Sequence, residues 1–269
     1  MAGYKEKITF DRLILEDLYE NLNRRKFVHP DPLEFLYDYP DVRDREIVAL
    51  VASTLAYGRV NQILRSVGKI LALLGSPTRF VQTESVESMT ETLASFKHRF
   101  TTGRDMALLL YSLKGILKEY GSLENCFVSG FKEDDETIIP ALEKFVNKMV
   151  ALGCGNGSGV IADPGKGSAC KRLNLFLRWM VRNDDVDPGG WTSIPPSKLI
   201  IPLDTHMHNI SRMLGITTRK QANMQTALEI TEAFKSICPD DPVKYDFCLT
   251  RYGIRDDLST DIFKNDSSR

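Results

Sequence analysis

Apolar residues recur along the chain at the spacing of a helix face. In DREIVALVASTLAYG, from Asp44, they fall at Ile47, Leu50, Val51, Thr54 and Leu55. That spacing predicts a helix opened by an Asp44 cap and closed by Gly58. Val60, Ile63, Leu64, Val67, Ile70 and Leu71 continue in a second helix, which stops at Gly75-Ser76-Pro77. Asp105 reads as the cap of a third, MALLLYSLKGILKEY, ending at Gly121. Ser122, and then Asp134 and Asp135, open two more. Toward the C-terminus, Thr226 to Ile237 has a helical pattern. Asp241-Pro242 then offers a cap and a first-position proline for VKYDFCLTRYG, up to Gly253. No run of alternating β-branched residues bounded by turns interrupts the series, so the expected fold is all-α.

Composition narrows the class. With 269 residues, 42% apolar and 26% charged, the chain can bury a sizeable core and is not of the disordered type. No apolar run reaches the ~20 residues of a membrane span. The opening MAGYKEKITFDRLILEDLYE carries acids where a signal peptide would be apolar, so a cytoplasmic location is expected and no membrane partner. The five cysteines, Cys126, Cys154, Cys170, Cys238 and Cys248, are scattered with no CxxC pair, which excludes a zinc knuckle or a closely spaced iron–sulfur loop. Net charge is −1. Positive charge is nevertheless concentrated locally, with Lys166, Lys171, Arg172, Arg178 and Arg182 following Asp163.

That basic stretch follows a segment, GCGNGSGVIADPGKGS, containing Gly153, Gly155, Gly157, Gly159, Gly165 and Gly167. Its spacing is not that of a P-loop, because five residues rather than four separate Gly159 from Gly165 and Gly167 follows Lys166. A linker is the simplest role for its first half. The second half, Pro164-Gly165-Lys166-Gly167-Ser168, feeds a helix, ACKRLNLFLRWMVR. A glycine turn at a helix N-terminus can present open backbone N–H groups to a phosphate. On that helix Ala169, Leu173, Phe176, Leu177 and Met180 form the apolar stripe, and Lys171, Arg178 and Arg182 are expected opposite it. Alone, such a face could equally be solvated charge.

Further on, Asp204 stands where an N-cap belongs, before a stripe of Met207, Ile210, Met213 and Leu214 ended by Gly215. A capping aspartate can also be catalytic, since the cap fixes its direction. His206 and His208 suggest a metal pair, but residues two apart on a helix point about 200° from each other and cannot both hold one ion. His206 is expected to touch phosphate or the cap.

Together, IPLDTHMHNISRMLGI, EIVALVASTLAYGRVNQI and GSACKRLNLFLRWMVR resemble the helix-hairpin-helix DNA glycosylase superfamily. In that superfamily a V-D-T-H-like segment after the hairpin carries the catalytic aspartate. With HPDPLEFLYDYPDVRDRE, FTTGRD and DPVKYDF the similarity extends over most of the chain, toward an uncharacterised bacterial branch. The resemblance implies a two-lobed fold, with residues 44–152 in one lobe and residues 153–269, completed by 1–43, in the other. It implies Lys171 as nucleophile and Asp204 as its carboxylate partner. Gly165, Lys166, Gly167, Ser168, Arg178, Arg182 and His206 would contact DNA, and Tyr57 and Arg59 would line the base pocket. The common hairpin places its lysine two residues after the second glycine, where Ala169 stands here, so Lys166 competes with Lys171. The 33-residue interval from Lys171 to Asp204 is similar to that of archaeal 8-oxoguanine glycosylases.

The expected partner is double-stranded DNA carrying a damaged base or an abasic site, with no cofactor, no metal and no protein partner. Two other functions remain open at this level. One is non-catalytic binding of DNA or RNA through the hairpin. The other is a metal-dependent hydrolase built around Asp204, His206 and His208.

Overall fold

A computed structural model of the chain describes residues 11–155, 160–255 and 258. The described residues are predominantly α-helical. The helices are α1 (Arg12–Leu22), α2 (Val42–Thr54), α3 (Val60–Leu74), α4 (Pro77–Thr83) and α5 (Val86–Thr92). A minimal hairpin follows, β1 (Lys97–His98) and β2 (Thr101–Thr102). Then come α6 (Gly103–Tyr120), α7 (Leu123–Val128), α8 (Ile139–Ala151), α9 (Lys171–Val181), α10 (Thr205–Met213), α11 (Met224–Lys235) and α12 (Asp246–Ile254). Short 3-10 turns at Pro32–Asp38 and Pro164–Lys166 precede α2 and α9. None of these helices is long and apolar enough to cross a membrane. All five cysteines are unpaired. Gly157 and Gly159 of the glycine-rich segment lie outside the described residues.

α2 lies at the centre. Every residue from Glu46 to Thr54 is buried, so the helix is enclosed on all sides rather than amphipathic. It packs against α9, against the Pro32–Asp38 turn and against α4. Its one buried charge is satisfied: the Glu46 carboxylate accepts from Leu123 N (3.0 Å), Glu124 N (3.3 Å) and Trp191 Nε1 (3.2 Å). A carboxylate from the central helix thus meets the first N–H groups of α7. α6 begins with a Thr102–Asp105 capping box and ends at Gly121, whose φ of +78° is left-handed; α4, α5, α7 and α8 pack around it. On the other side α10 and α1 pack on α12.

Several predicted boundaries move. α2 is capped by Asp41, whose Oδ1 accepts from Arg43 N (2.7 Å), while Asp44 instead accepts from Thr78 N at the start of α4 (2.7 Å). Asp134 and Asp135 open no helix; α8 starts at Ile139, with Pro140 in its first turn. α11 is capped by Asn223. Asp241-Pro242 leads into a turn, and α12 begins only at Asp246, so Gly253 lies inside the helix rather than beyond it.

Candidate active site

A cleft of about 680 Å³ opens where α2, α3, α9, α10 and α12 converge. Ala56, Tyr57 and Gly58 after α2, with Val60 and Ile63 of α3, form one wall. Pro202 to His206 at the start of α10, and Asp246, Thr250, Arg251 and Gly253 of α12, form the other. Between them α9 contributes Lys171, Arg172, Leu175 and Arg178. Lys171 and Asp204, far apart in sequence, therefore line the same cavity.

The N-terminus of α9 sets the position of Lys171. Cys170, just before the helix, is left-handed with φ +47°, so the chain turns sharply and Lys171 becomes the first helical residue. Its Nζ donates to the Ala56 carbonyl (3.4 Å), and the neighbouring Arg172 donates to Thr54 O (2.7 Å) and lies over the Tyr57 ring (5.2 Å). Two cations from α9 thus meet carbonyls at the C-terminal end of α2, where cations are favoured. Asp204 is the N-cap of α10, its Oδ1 accepting from Met207 N (2.9 Å) as the sequence predicts.

A second carboxylate was not singled out from sequence. Asp246 opens α12, is 2% exposed and lines the cleft. Its Oδ2 pairs with Arg178 Nη1, whereas Oδ1 is buried without a partner among the described residues. Burial pushes its pKa up to about 6; Arg178 opposes the shift and the charge of Asp204 adds to it. An aspartate inside the otherwise apolar run Tyr245-Asp246-Phe247-Cys248-Leu249 was the available signal, masked by the cap-like Asp241-Pro242. Arg251 is likewise at the cleft and buried; Nη2 donates to Asp31 Oδ2 (2.7 Å), Nη1 to Val28 O (3.4 Å), and Nε has no partner among the described residues.

The expected basic face of α9 is not a surface. Arg178 and Arg182 are 3% and 4% exposed, in a helix buried from Leu173 to Val181. Arg178 donates to Asp187 Oδ1 through Nε (3.2 Å) and Nη2 (3.0 Å), besides its pair with Asp246. Arg182 holds Asp184 (2.8 Å), Asp241 (2.9 Å) and Asp187. Their guanidinium groups are committed to carboxylates, so neither is placed to bind DNA phosphate. The 3.6-residue period groups these cations correctly but cannot show that the facing acids arrive from distant loops.

The hairpin residues Gly165, Lys166, Gly167 and Ser168 are exposed and do not line the cleft. Their N–H groups are less open than expected. Gly165 N donates to Asp163 Oδ1 (3.0 Å), Lys166 N to Asp163 O (3.2 Å) and Gly167 N to Pro164 O (3.1 Å). Lys166 Nζ lies 3.6 Å from Asp163 Oδ2. Of the two competing lysines, only Lys171 reaches the cavity. Tyr57 lines it, but Arg59 is exposed at the N-cap of α3 and is not part of the lining. His206 faces the cleft, whereas His208 is buried with Nε2 3.0 Å from the Arg219 carbonyl. Among the described residues no three His, Cys, Asp or Glu side chains gather into a set that could hold a metal ion.

A family model described as "Protein of unknown function (DUF2400)" matches residues 31–255 of the chain. No curated protein and no solved structure matches it.

Proposed function

We propose that this chain, which belongs to the DUF2400 family, is a DNA glycosylase with abasic-site lyase activity that acts on a damaged base through a lysine Schiff base. The observation that carries the proposal is the meeting of Lys171 and Asp204 in one cleft, the lysine at the first position of α9 and the aspartate fixed as the cap of α10. In this function residues 44–152 form one lobe of a helix-hairpin-helix glycosylase-like fold. The described residues of 153–269, with those of 1–43, form the other, and the extruded nucleotide occupies the cleft between them.

The chemistry follows from what the two groups can do. The neutral amine of Lys171 bonds to C1′ of the deoxyribose while the bond from C1′ to the base breaks, its electron pair leaving with the base, which takes up a proton. The nitrogen gives up a proton, the C1′–O4′ bond opens with its electron pair staying on O4′, which takes up that proton, and the nitrogen lone pair closes the imine. Removal of a C2′ proton then expels the 3′ phosphate, and water releases the lysine. Asp204 supplies negative charge where positive charge develops at C1′ and O4′, and accepts the proton that the attacking nitrogen gives up on its way to O4′. Asp246, with its unpartnered buried oxygen beside them, is suited to exchange a proton within the cleft.

Borohydride reduces such an imine to a permanent bond. The wild-type protein is expected to be trapped on a duplex with an abasic site, Lys171→Gln to be untrapped, and Lys166→Gln to trap like wild type. Asp204→Asn keeps the α10 cap, because Asn caps nearly as well as Asp, yet should lose the reaction. Absence of trapping by the wild-type protein on abasic or damaged duplexes would remove the lyase and leave binding without chemistry.

A further inference from the structure

Phe100 is the most exposed large apolar side chain among the described residues, at 81%. One exposed apolar residue is ordinary on a protein surface. This one is unusual in how it is held. It forms, with Arg99, the two-residue tip of the β1–β2 hairpin, in which Lys97 pairs with Thr102 and His98 with Thr101. Arg99 has φ +52°, the left-handed conformation that hairpin tips normally give to glycine or asparagine. Backbone strain of that kind persists only where surrounding contacts impose it, and it concentrates at functional sites.

The contacts that impose it come from the cleft. The Tyr57 hydroxyl donates to the His98 carbonyl (2.8 Å) and accepts from the Thr101 hydroxyl (2.8 Å) and Thr101 N–H (3.2 Å). His98 is fully buried; its Nε2 donates to the Tyr57 carbonyl (3.0 Å) and its Nδ1 accepts from Ser66 (2.9 Å). Both strands are thus pinned to a residue that lines the cavity. The Arg99 side chain crosses Gly58, where a Cβ would stand 2.7 Å from Nη1 and 2.8 Å from Cδ. Its guanidinium lies 5.8 Å from the Tyr57 ring centre and 5.7 Å from that of Phe100. Phe100 is therefore carried on a stiff support fixed to Tyr57 and Gly58 of the cleft wall, with the exposed cations Lys97 and Arg99 on the same hairpin.

We infer that the Arg99–Phe100 tip is a wedge for duplex DNA: Phe100 enters the base stack at the position vacated by the nucleotide drawn into the cleft, and Arg99 meets a neighbouring phosphate. A flat aromatic side chain replaces the stacking lost by the flanking bases, and an apolar wedge opens a base step. A protein partner would offer an apolar pocket and a membrane an apolar sheet. A single exposed ring flanked by cations, on a hairpin fixed to the wall of a cleft that also holds Lys171, is fitted instead to a stack of bases edged by phosphates.

The inference rests on the proposed function, and two duplexes of one sequence separate their fates. One is intact; the other carries a tetrahydrofuran abasic analogue, which has a gap in the stack but no reactive C1′ hydroxyl. By fluorescence anisotropy the wild-type protein is expected to prefer the gapped duplex. Phe100→Ala should weaken binding to that duplex by roughly tenfold and leave the intact duplex nearly unaffected. Phe100→Trp should keep the preference, with its indole emission quenched by the flanking bases. Phe100→Ala with an undiminished preference would overturn the wedge while leaving DNA binding in place. A wild-type protein that binds neither duplex would overturn the proposed function and the wedge together.

Discussion

Two carboxylates reach the cleft from the starts of different helices, and their surroundings differ. Asp204 is half-buried and spends one oxygen on the α10 cap; Asp246 is buried, with Arg178 on one oxygen and no partner for the other among the described residues. Burial is the main reason that Asp246 holds its proton up to about pH 6 instead of its ordinary 3.8. The folded chain thus binds this proton more tightly than the unfolded chain does. Its contribution to stability is present at the acid end and is lost as pH rises through the folded value. Asp246→Asn removes the titration. Denaturant unfolding at about pH 4.5 and about pH 7 should therefore show the variant gaining on wild type as pH rises. A variant that gains nothing on wild type, or loses ground, between these pH values would mean that Arg178 dominates and Asp246 is ionised throughout. If the proposed lyase reaction is observed, the variant should also lose a limb of its pH profile near 6.

At the scale of elements, the approach of α10 to α12 decides where His206 sits. Gly253 faces it from inside α12, and a Cβ there would stand 2.3 Å from His206 Nδ1. Gly253→Ala improves helix propensity by about 1 kcal/mol, but it must push the imidazole or the whole of α10 outward, an overpacking that costs about 1–3 kcal/mol. The expected result is a lower melting temperature and a slower reaction; a variant more stable than wild type and fully active would show that His206 moves freely. The sequence reads Gly253 as a helix end, because a glycine after an apolar run commonly is one. α10, with a clear stripe and a true cap in Asp204, was legible for the same local reasons that form it, and α3 and α6 were legible from their stripes. α3 has Arg59 at its N-cap with no side-chain bond, and α6 is capped by Thr102, with Asp105 only closing the capping box. α2 was legible as a helix but not as a buried one, since the partner of Glu46 is a distant helix terminus. α12 was misplaced by about one turn because Asp241, which looks like its cap, instead holds Arg182.

Across the whole molecule, the buried charges join parts that sequence keeps apart. Arg178 and Arg182 of the α9 segment gather Asp184, Asp187, Asp241 and Asp246, and Asp184 also accepts from the Tyr19 hydroxyl of α1 (2.9 Å). Removing one partner leaves uncompensated buried charge, so Arg182→Ala should lose about 3–5 kcal/mol in urea unfolding, and Arg182→Lys should recover little of it because an ammonium lacks the fork geometry. A loss no larger than that of an exposed arginine would place these pairs at the surface. The same network explains why only part of the candidate site was legible: Asp204 belongs to a local cap pattern and Lys171 to the segment that carries the resemblance, whereas Asp246 acquires its character from long-range neighbours. The central claim is that the Lys171 amine is the nucleophile. Its most direct test is to reduce the protein with borohydride on an abasic duplex, digest both components and sequence the peptide that carries the sugar. The expected adduct is on Lys171; an adduct on Lys166 or any other amine would contradict it.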